Sequence, residues 1–359
     1  MRSPPGSIVS AEGGGNVSMR AEILEQPGAL RHALEANREP IANVAAAVTS
    51  HDFNYAMIAA RGTSDNAARY GKYLLAAHNR IPVALAAPSL FTSYDRPPRL
   101  DGALVIGISQ SGESPDLIAV LEEASHQGRP TIAITNEPES PLAGQADAVI
   151  DIMAGREMAI AATKTYTAEL LAIAMLSAAL DPGAWADQLT ALPGHAQSVL
   201  DAEEHIAALT GAFADMGACA VLGRGYNHCT AFEWALKLQE VTYTLAHPYS
   251  SADFRHGPIA VVEPGFPILA VAMAGPLFGD MMALLQKATT IHRARTVAIT
   301  NRSEALHAVH SGVMLPDMPE WMTPIAAIVA AQLFTLHLGE ARGLDPERPR
   351  GLTKVTRTI

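Results

Sequence analysis

Glu233, Lys237 and Glu240 stand at i, i+4 and i+7 of a segment with helical character, Ala231–Thr244, so one face carries two carboxylates around an ammonium. Leu236, Leu238 and Val241 add apolar surface beside them. In a partly dry setting this is a proton-transfer arrangement, because desolvation moves a carboxylate toward neutral pH. On an open surface the same spacing is an ordinary ion-pair stripe. A second group is built from hydroxyls and amides: the apolar run ending at Ile108 gives way to Ser109-Gln110-Ser111-Gly112-Glu113, then Ser114-Pro115. Ser114 suits a helix N-cap and Pro115 the first helical position. Backbone N–H groups and hydroxyls at a strand-to-helix turn favour an anion. Gly62-Thr63-Ser64-Asp65 forms a second loop of the same kind. Either loop alone also reads as simple capping.

Two further side chains carry chemistry. His256, in Arg255-His256-Gly257-Pro258, is fixed in a tight turn and fits a general acid, although lone histidines are more often structural. Lys354, near the carboxyl end, is either an ordinary tail lysine or an amine that reaches back to form an imine. No Gly-x-Gly-x-x-Gly follows the first strand, and there is no Walker loop. The remaining histidines lack metal-ligand spacing, so neither metal nor cofactor is expected. Cys229 is read as a small buried thiol before a nucleophile, and with Cys219 it fits a reduced compartment.

The elements that must position these groups occur twice. Arg61-Gly62 recurs as Arg224-Gly225, an offset of 163, which also carries Ile108–Gly112 onto Val271–Gly275. Ala133–Asn136 recurs as Ala298–Asn301 at offset 165. Ser109 and Ser111 become Ala272 and Ala274, while the position matching Glu240 is Ala77 in the first copy. One copy is equipped to hold an anion and the other to move protons. Strands are expected at Tyr55–Ala60, Val83–Ala86, Ala103–Ile108, Thr131–Thr135 and Ala148–Ile152. Helices are expected at Asp65–His78, Pro115–Gln127, Ser140–Gln145 and Ala162–Ala179. Two lead-in helices divided near Pro40 precede them, Asp181-Pro182-Gly183 breaks the pattern, and a closing helix lies near Ile325–His337. The alternation implies a parallel sheet covered on both faces.

The chain has 359 residues, 49% of them apolar and 17% charged, enough for two buried cores. A net charge of −11 argues against nucleic acid as a partner, though a local pocket can still oppose it for a small anion. The amino terminus lacks a signal-peptide core, and Gly13-Gly14-Gly15 reads as a mobile lead-in. The long apolar stretches Ala159–Leu180 and Pro324–Gly339 carry Lys164 and Glu169 or Gln332 and His337, so they read as buried helices instead of membrane spans. The expected location is the cytoplasm.

Together the motifs resemble the sugar isomerase (SIS) superfamily, specifically the isomerase half of glucosamine-6-phosphate synthase, from about Ala42 to Thr358. They are Arg61–Ser64, Ile108–Ser114, Ala161-Ala162-Thr163-Lys164, Leu222–Gly225, Glu233–Glu240, His256-Gly257-Pro258 and Arg348–Lys354. The resemblance implies an α/β fold of two tandem SIS domains, each a flavodoxin-like doubly wound sheet with helices on both faces. It divides the chain into an extension (1–40), a first domain that binds sugar phosphate (41–185), a linker helix (186–204), a second domain with the acid–base residues (205–340) and a tail (341–359). It places Ser64, Ser109, Gln110, Ser111 and Ser114 on the phosphate, with Gly62, Thr63, Ala161 and Thr163 lining the substrate site. It gives Glu240 the C1/C2 proton transfer with Lys237 beside it, His256 the ring opening from a neighbouring subunit of a homodimer, and Lys354 an imine.

Ala162 stands where the synthase has a serine, and residues 247–253 also differ. Residues 1–40 are too few for the synthase's glutaminase domain, so glutamine is not the expected nitrogen source. The expected activity is an isomerising deaminase, glucosamine 6-phosphate to fructose 6-phosphate and ammonia. A fructosamine 6-phosphate deglycase, a plain aldose–ketose isomerase and a sugar-phosphate sensor are the alternatives. The partner is thus a hexose or hexosamine 6-phosphate.

Overall fold

A computed structural model describes residues 18–181 and 186–354. Three lead-in helices, α1 (Met19–Leu24), α2 (Gln26–Ala36) and α3 (Arg38–Thr49), precede the first sheet. The break expected near Pro40 falls at Asn37 instead, whose side-chain amide donates to the Asp151 carbonyl at 2.6 Å. Pro40 sits in the first turn of α3, where its missing N–H would have had no partner anyway.

The first unit then runs β1 (Tyr55–Ala59), α4 (Gly62–His78), β2 (Val83–Leu85), β3 (Ala103–Ile108), α5 (Pro115–His126), β4 (Thr131–Thr135), β5 (Ala148–Asp151) and α6 (Lys164–Leu180). The helix expected over Ser140–Gln145 shrinks to a single 3-10 turn, Ala143–Gln145, since Pro141 and Gly144 leave too little to propagate a helix. Two short helices, α7 (Leu192–Leu200) and α8 (Glu203–Thr210), lead to the second unit. It comprises β6 (Ala218–Leu222), α9 (His228–Thr242), β7 (Leu245–Tyr249), α10 (Ser251–Arg255), β8 (Pro267–Ala272), α11 (Phe278–Thr290), β9 (Arg295–Thr300), α12 (Ser303–Leu306), β10 (Ser311–Met314) and α13 (Thr323–Ala341). Pro182 and Gly183, like Gly13–Gly15, lie outside the described residues.

Both sheets have five strands, all parallel, in the orders β2-β1-β3-β4-β5 and β7-β6-β8-β9-β10. These are the same doubly wound order, as the internal repeat requires. The central strands β3 and β8 are buried at every position, which accounts for their unbroken apolar composition. One core cluster joins the inner faces of both sheets through α4, α6, α9 and α13, and each sheet has a smaller cluster on its outer face. Helix α6 is buried from Lys164 to Ala178, which explains why it is apolar all round. The segment Glu320–Ala341 is long and apolar enough to cross a membrane by length and composition, yet 94% of its apolar window is buried inside the protein.

Candidate active site

The carboxyl edge of the first sheet carries the hydroxyl loop. After Ile108 the chain turns at Gly112, whose φ of +61° is a left-handed conformation. A Cβ there would also collide with the Ser140 side chain, so glycine is required twice over. The Gly112 N–H donates to Ser109 Oγ at 3.1 Å and the Glu113 N–H to Ser111 Oγ at 3.3 Å. Ser114 caps α5 by backbone position alone, leaving its hydroxyl free of the capping role. On the neighbouring strand, Arg61 precedes α4 and its Nε donates to the buried Asp116 at 2.7 Å. The second unit repeats that brace with Arg224 and Asp280.

Across from this loop lies α9. Glu233 is fully buried, Lys237 is 1% exposed, and the Glu240 side chain keeps 21% exposure. Lys237 Nζ sits 2.5 Å from Glu240 Oε2 and 3.3 Å from Glu233 Oε1, and donates to Thr63 Oγ1 at 3.2 Å. Thr63 Oγ1 and Asn66 Nδ2 donate to Glu233 at 3.1 and 2.8 Å. The stripe is therefore interior, not a solvated face, and it is tied to the first unit through α4. Burial works against the Lys237 charge, but Glu233 and Glu240 more than offset it and hold the ammonium above its ordinary pKa. Burial raises Glu233, opposed by Lys237 and reinforced by Glu240.

The tail closes the third side. Arg342 donates to the carbonyls of Phe213, Ala214, Met216 and Thr242, locking the start of the tail to the second unit. The Arg350 guanidinium lies 3.8 Å from the ring centre of Tyr243, the left-handed residue that ends α9. Leu352, Thr353 and Lys354 then enter the cleft. Lys354 Nζ donates to Glu157 Oε2 at 2.7 Å and to the Ala159 carbonyl at 2.6 Å. Burial disfavours the Glu157 charge, but Lys354 and the backbone N–H groups of Thr163 and Thr165 hold the carboxyl below its ordinary range.

These elements enclose a cavity of ≈ 390 Å³ lined by Arg61, Gly62, Thr63, Ser64, Ser109, Gln110, Ser111, Ser114, Ile160, Ala162, Glu240, Leu352, Thr353 and Lys354. Nine of the expected site residues thus meet in one place: Gly62, Thr63, Ser64, Ser109, Gln110, Ser111, Ser114, Glu240 and Lys354. Lys237 lies directly behind Glu240. Ala161 and Thr163, expected beside the substrate, do not line the cavity. Ala161 is 1% exposed, and Thr163 turns both its N–H and its hydroxyl inward to Glu157, so Ile160 and Ala162 face the cavity instead. His256 is exposed at the end of α10 and lies outside the cavity of its own chain. Two carboxyls with structural weight here, Glu157 and Glu169, had no place in the expected site. The signal for Glu169 was present: a lone acid inside an apolar helix.

The second unit's matching crevice is closed. It encloses ≈ 10 Å³, lined in part by Arg224, Ala272, Phe278 and Glu320, and the Glu320 carboxylate occupies the space a side chain at Gly275 would need. Both cysteines are buried, and burial pushes each thiol up to about 12, far from a nucleophilic thiolate. Among the described residues no group of three His, Cys, Asp or Glu side chains is arranged to hold a metal.

Two segments, 53–179 and 213–339, each match the SIS domain. The chain belongs to the SIS domain family. An isomerizing glutamine–fructose-6-phosphate aminotransferase of Thermosynechococcus vestitus is 34% identical over 94% of this chain, which spans 58% of that relative's length. The solved C-terminal domain of glucosamine-fructose-6-phosphate aminotransferase from Francisella tularensis superposes with a TM-score of 0.83 at 25% identity, covering 93% of this chain and 99% of that one. A glucosamine-6-phosphate deaminase of Thermotoga maritima shares the fold, with a TM-score of 0.80 at 21% identity over 95% of this chain and 99% of that one. The SIS chain described here therefore corresponds to the isomerase half of the aminotransferases, as two tandem domains with parallel sheets.

Proposed function

We propose that this SIS protein is a phosphosugar isomerase acting on amino sugars, converting glucosamine 6-phosphate and water to fructose 6-phosphate and ammonia. The observation that carries the reading is the shared cavity: the first unit's hydroxyl loop, the second unit's Glu240 and the tail's Lys354 line the same space. The phosphate ester sits against Ser64, Ser109, Gln110, Ser111 and Ser114, where hydroxyls and N–H groups supply donors to an acceptor-only anion. The open-chain sugar then extends toward Glu240. Glu240 takes the C2 proton and returns it to C1 while one amine proton passes to the former aldehyde oxygen, converting the aldehyde with its C2 amine into a C1 alcohol with a C2 imine. Water adds to that imine and ammonia leaves, so atoms balance without a redox partner.

Lys237 offsets charge on Glu240 during the transfer, and its bond to Thr63 couples the acid–base helix to the wall that holds the substrate. The Lys354 ammonium, held by Glu157, is placed to hydrogen-bond a sugar oxygen, and imine formation on it requires first passing its proton away. Because His256 does not line its own chain's cavity, its role in ring opening calls for a second copy of the chain.

The names of the relatives support the substrate class, fructose 6-phosphate in the aminotransferases and glucosamine 6-phosphate in the deaminase. The test is ammonia release from glucosamine 6-phosphate, with exchange of the C2 proton in deuterated water. Glu240→Gln should lower both by roughly 10²–10⁴-fold. Exchange without ammonia points to a plain isomerase, and release only from amino-acid adducts of fructose 6-phosphate points to a deglycase. Neither exchange nor release from any of these refutes the reading.

A further inference from the structure

Glu169 belongs to no part of the mechanism above, yet it lies directly behind the cavity wall. It is 1% exposed on α6, and Ser64 Oγ donates to its Oε1 at 2.7 Å. Its other oxygen, Oε2, is fully buried and has no hydrogen-bond partner. Ser64 itself lines the cavity. A serine hydroxyl has a single hydrogen, and a phosphate dianion offers only acceptors. While Glu169 is a carboxylate, that hydrogen is committed to it and Ser64 presents lone pairs to the anion. If Glu169 carries a proton and donates it to Ser64 Oγ, the Ser64 hydrogen is released toward the cavity. We propose that Glu169 is a positioning residue that directs the Ser64 hydroxyl, so that a phosphate ester binds to the protein carrying a proton on Glu169. This rests on the reading that the ester sits against Ser64.

The surroundings favour that proton. Burial above all, with the carboxylates of Glu233 on α9 and Glu157 in the loop before α6, raises the Glu169 carboxyl to about 8 against the lowering effect of the Ser64 hydrogen bond. Tyr166 on α6 and Cys229 on α9 are buried beside this group with their own pKa values pushed up, and so stay neutral. Helices α2, α3, α4 and α13 also pack on α6, and the charges that shift Glu169 most are those of Glu233 and Glu157. The proton comes from solvent and returns there on release. Where the free protein is already protonated, binding takes up nothing. As pH rises through the free-protein value, each binding event must take up a proton, and affinity falls.

The experiment is isothermal titration of fructose 6-phosphate into wild type and Glu169→Gln between about pH 7.5 and 9.5, where the ester is dianionic throughout. The wild-type Kd should climb roughly tenfold per pH unit above pH 8. In Glu169→Gln the amide donates to Ser64 permanently, and the Kd should stay flat. A flat wild-type profile, or one that climbs equally in the variant, overturns the proposal. Titrations of wild type alone in buffers of different ionisation enthalpy give a second readout should the variant fail to fold. Proton uptake per ester should approach one near pH 9, and uptake near zero overturns the proposal. Absence of any binding at pH 7.5 would instead overturn the placement of the ester, so the two failures are distinguishable.

Discussion

Replacing Lys237 by Met tests the buried acid–base stripe most directly. The substitution keeps an unbranched stem and removes the ammonium that lies 3.3 Å from Glu233 and 2.5 Å from Glu240. Glu240, 21% exposed, can turn to water, so the cost falls on the fully buried Glu233. Removing one partner of a buried pair costs about 3–5 kcal/mol. Thr63 and Asn66 still donate to Glu233, which places the expectation near the lower end, about 3 kcal/mol at pH 8. For a chain of this size that corresponds to a fall in Tm of roughly 4 °C.

The sign with pH follows from Glu233. Its folded pKa is raised already by burial and rises further without the lysine, so the stabilisation is full below the unfolded value, about 4.3, and is lost as pH climbs through the folded value. The penalty of Lys237→Met should therefore shrink between pH 8 and pH 5.5, and Glu233→Gln in the same chain should recover at least about 1 kcal/mol. Urea unfolding at the two pH values measures all of this. A penalty absent at pH 8, or equal at both pH values, would show that the stripe is solvated and the reasoning wrong.

Two further outcomes follow from single residues. Gly112→Ala should weaken fructose 6-phosphate binding and cost stability beyond the roughly 1–2 kcal/mol of a left-handed alanine, because its Cβ meets Ser140. Gly128→Ala, also left-handed with φ of +65° but facing open space, should cost only the backbone part and leave binding intact. A maleimide or disulfide reagent at pH 8 should label neither Cys219 nor Cys229 in the native protein and both after urea denaturation, since burial holds each thiol near 12. Rapid native labelling of Cys229 would place it near solvent and undo its assignment to the core.

The internal repeat and its two degenerate halves were legible because strand and helix periodicities are local. The offset that carries Arg61 onto Arg224 also carries β1 onto β6, and both sheets follow with the same strand order. The hydroxyl loop was legible for the same reason, since Gly112 and Ser114-Pro115 are chosen by backbone geometry at that turn. The boundary at Asn37 was not, because it depends on a bond from that side chain to Asp151, more than a hundred residues away.

The chemistry divides along the same line. The residues alone determined that Glu233, Lys237 and Glu240 share a helix face and that serines survive in only one copy. Only the tertiary structure decided that this face meets α4 and leaves water behind, that Thr163 turns inward to Glu157 while Ala162 looks outward, that Lys354 returns to the cleft and that His256 does not. A helical period fixes which side chains point together, but burial, and with it protonation, is set by whatever packs against that face from distant parts of the chain.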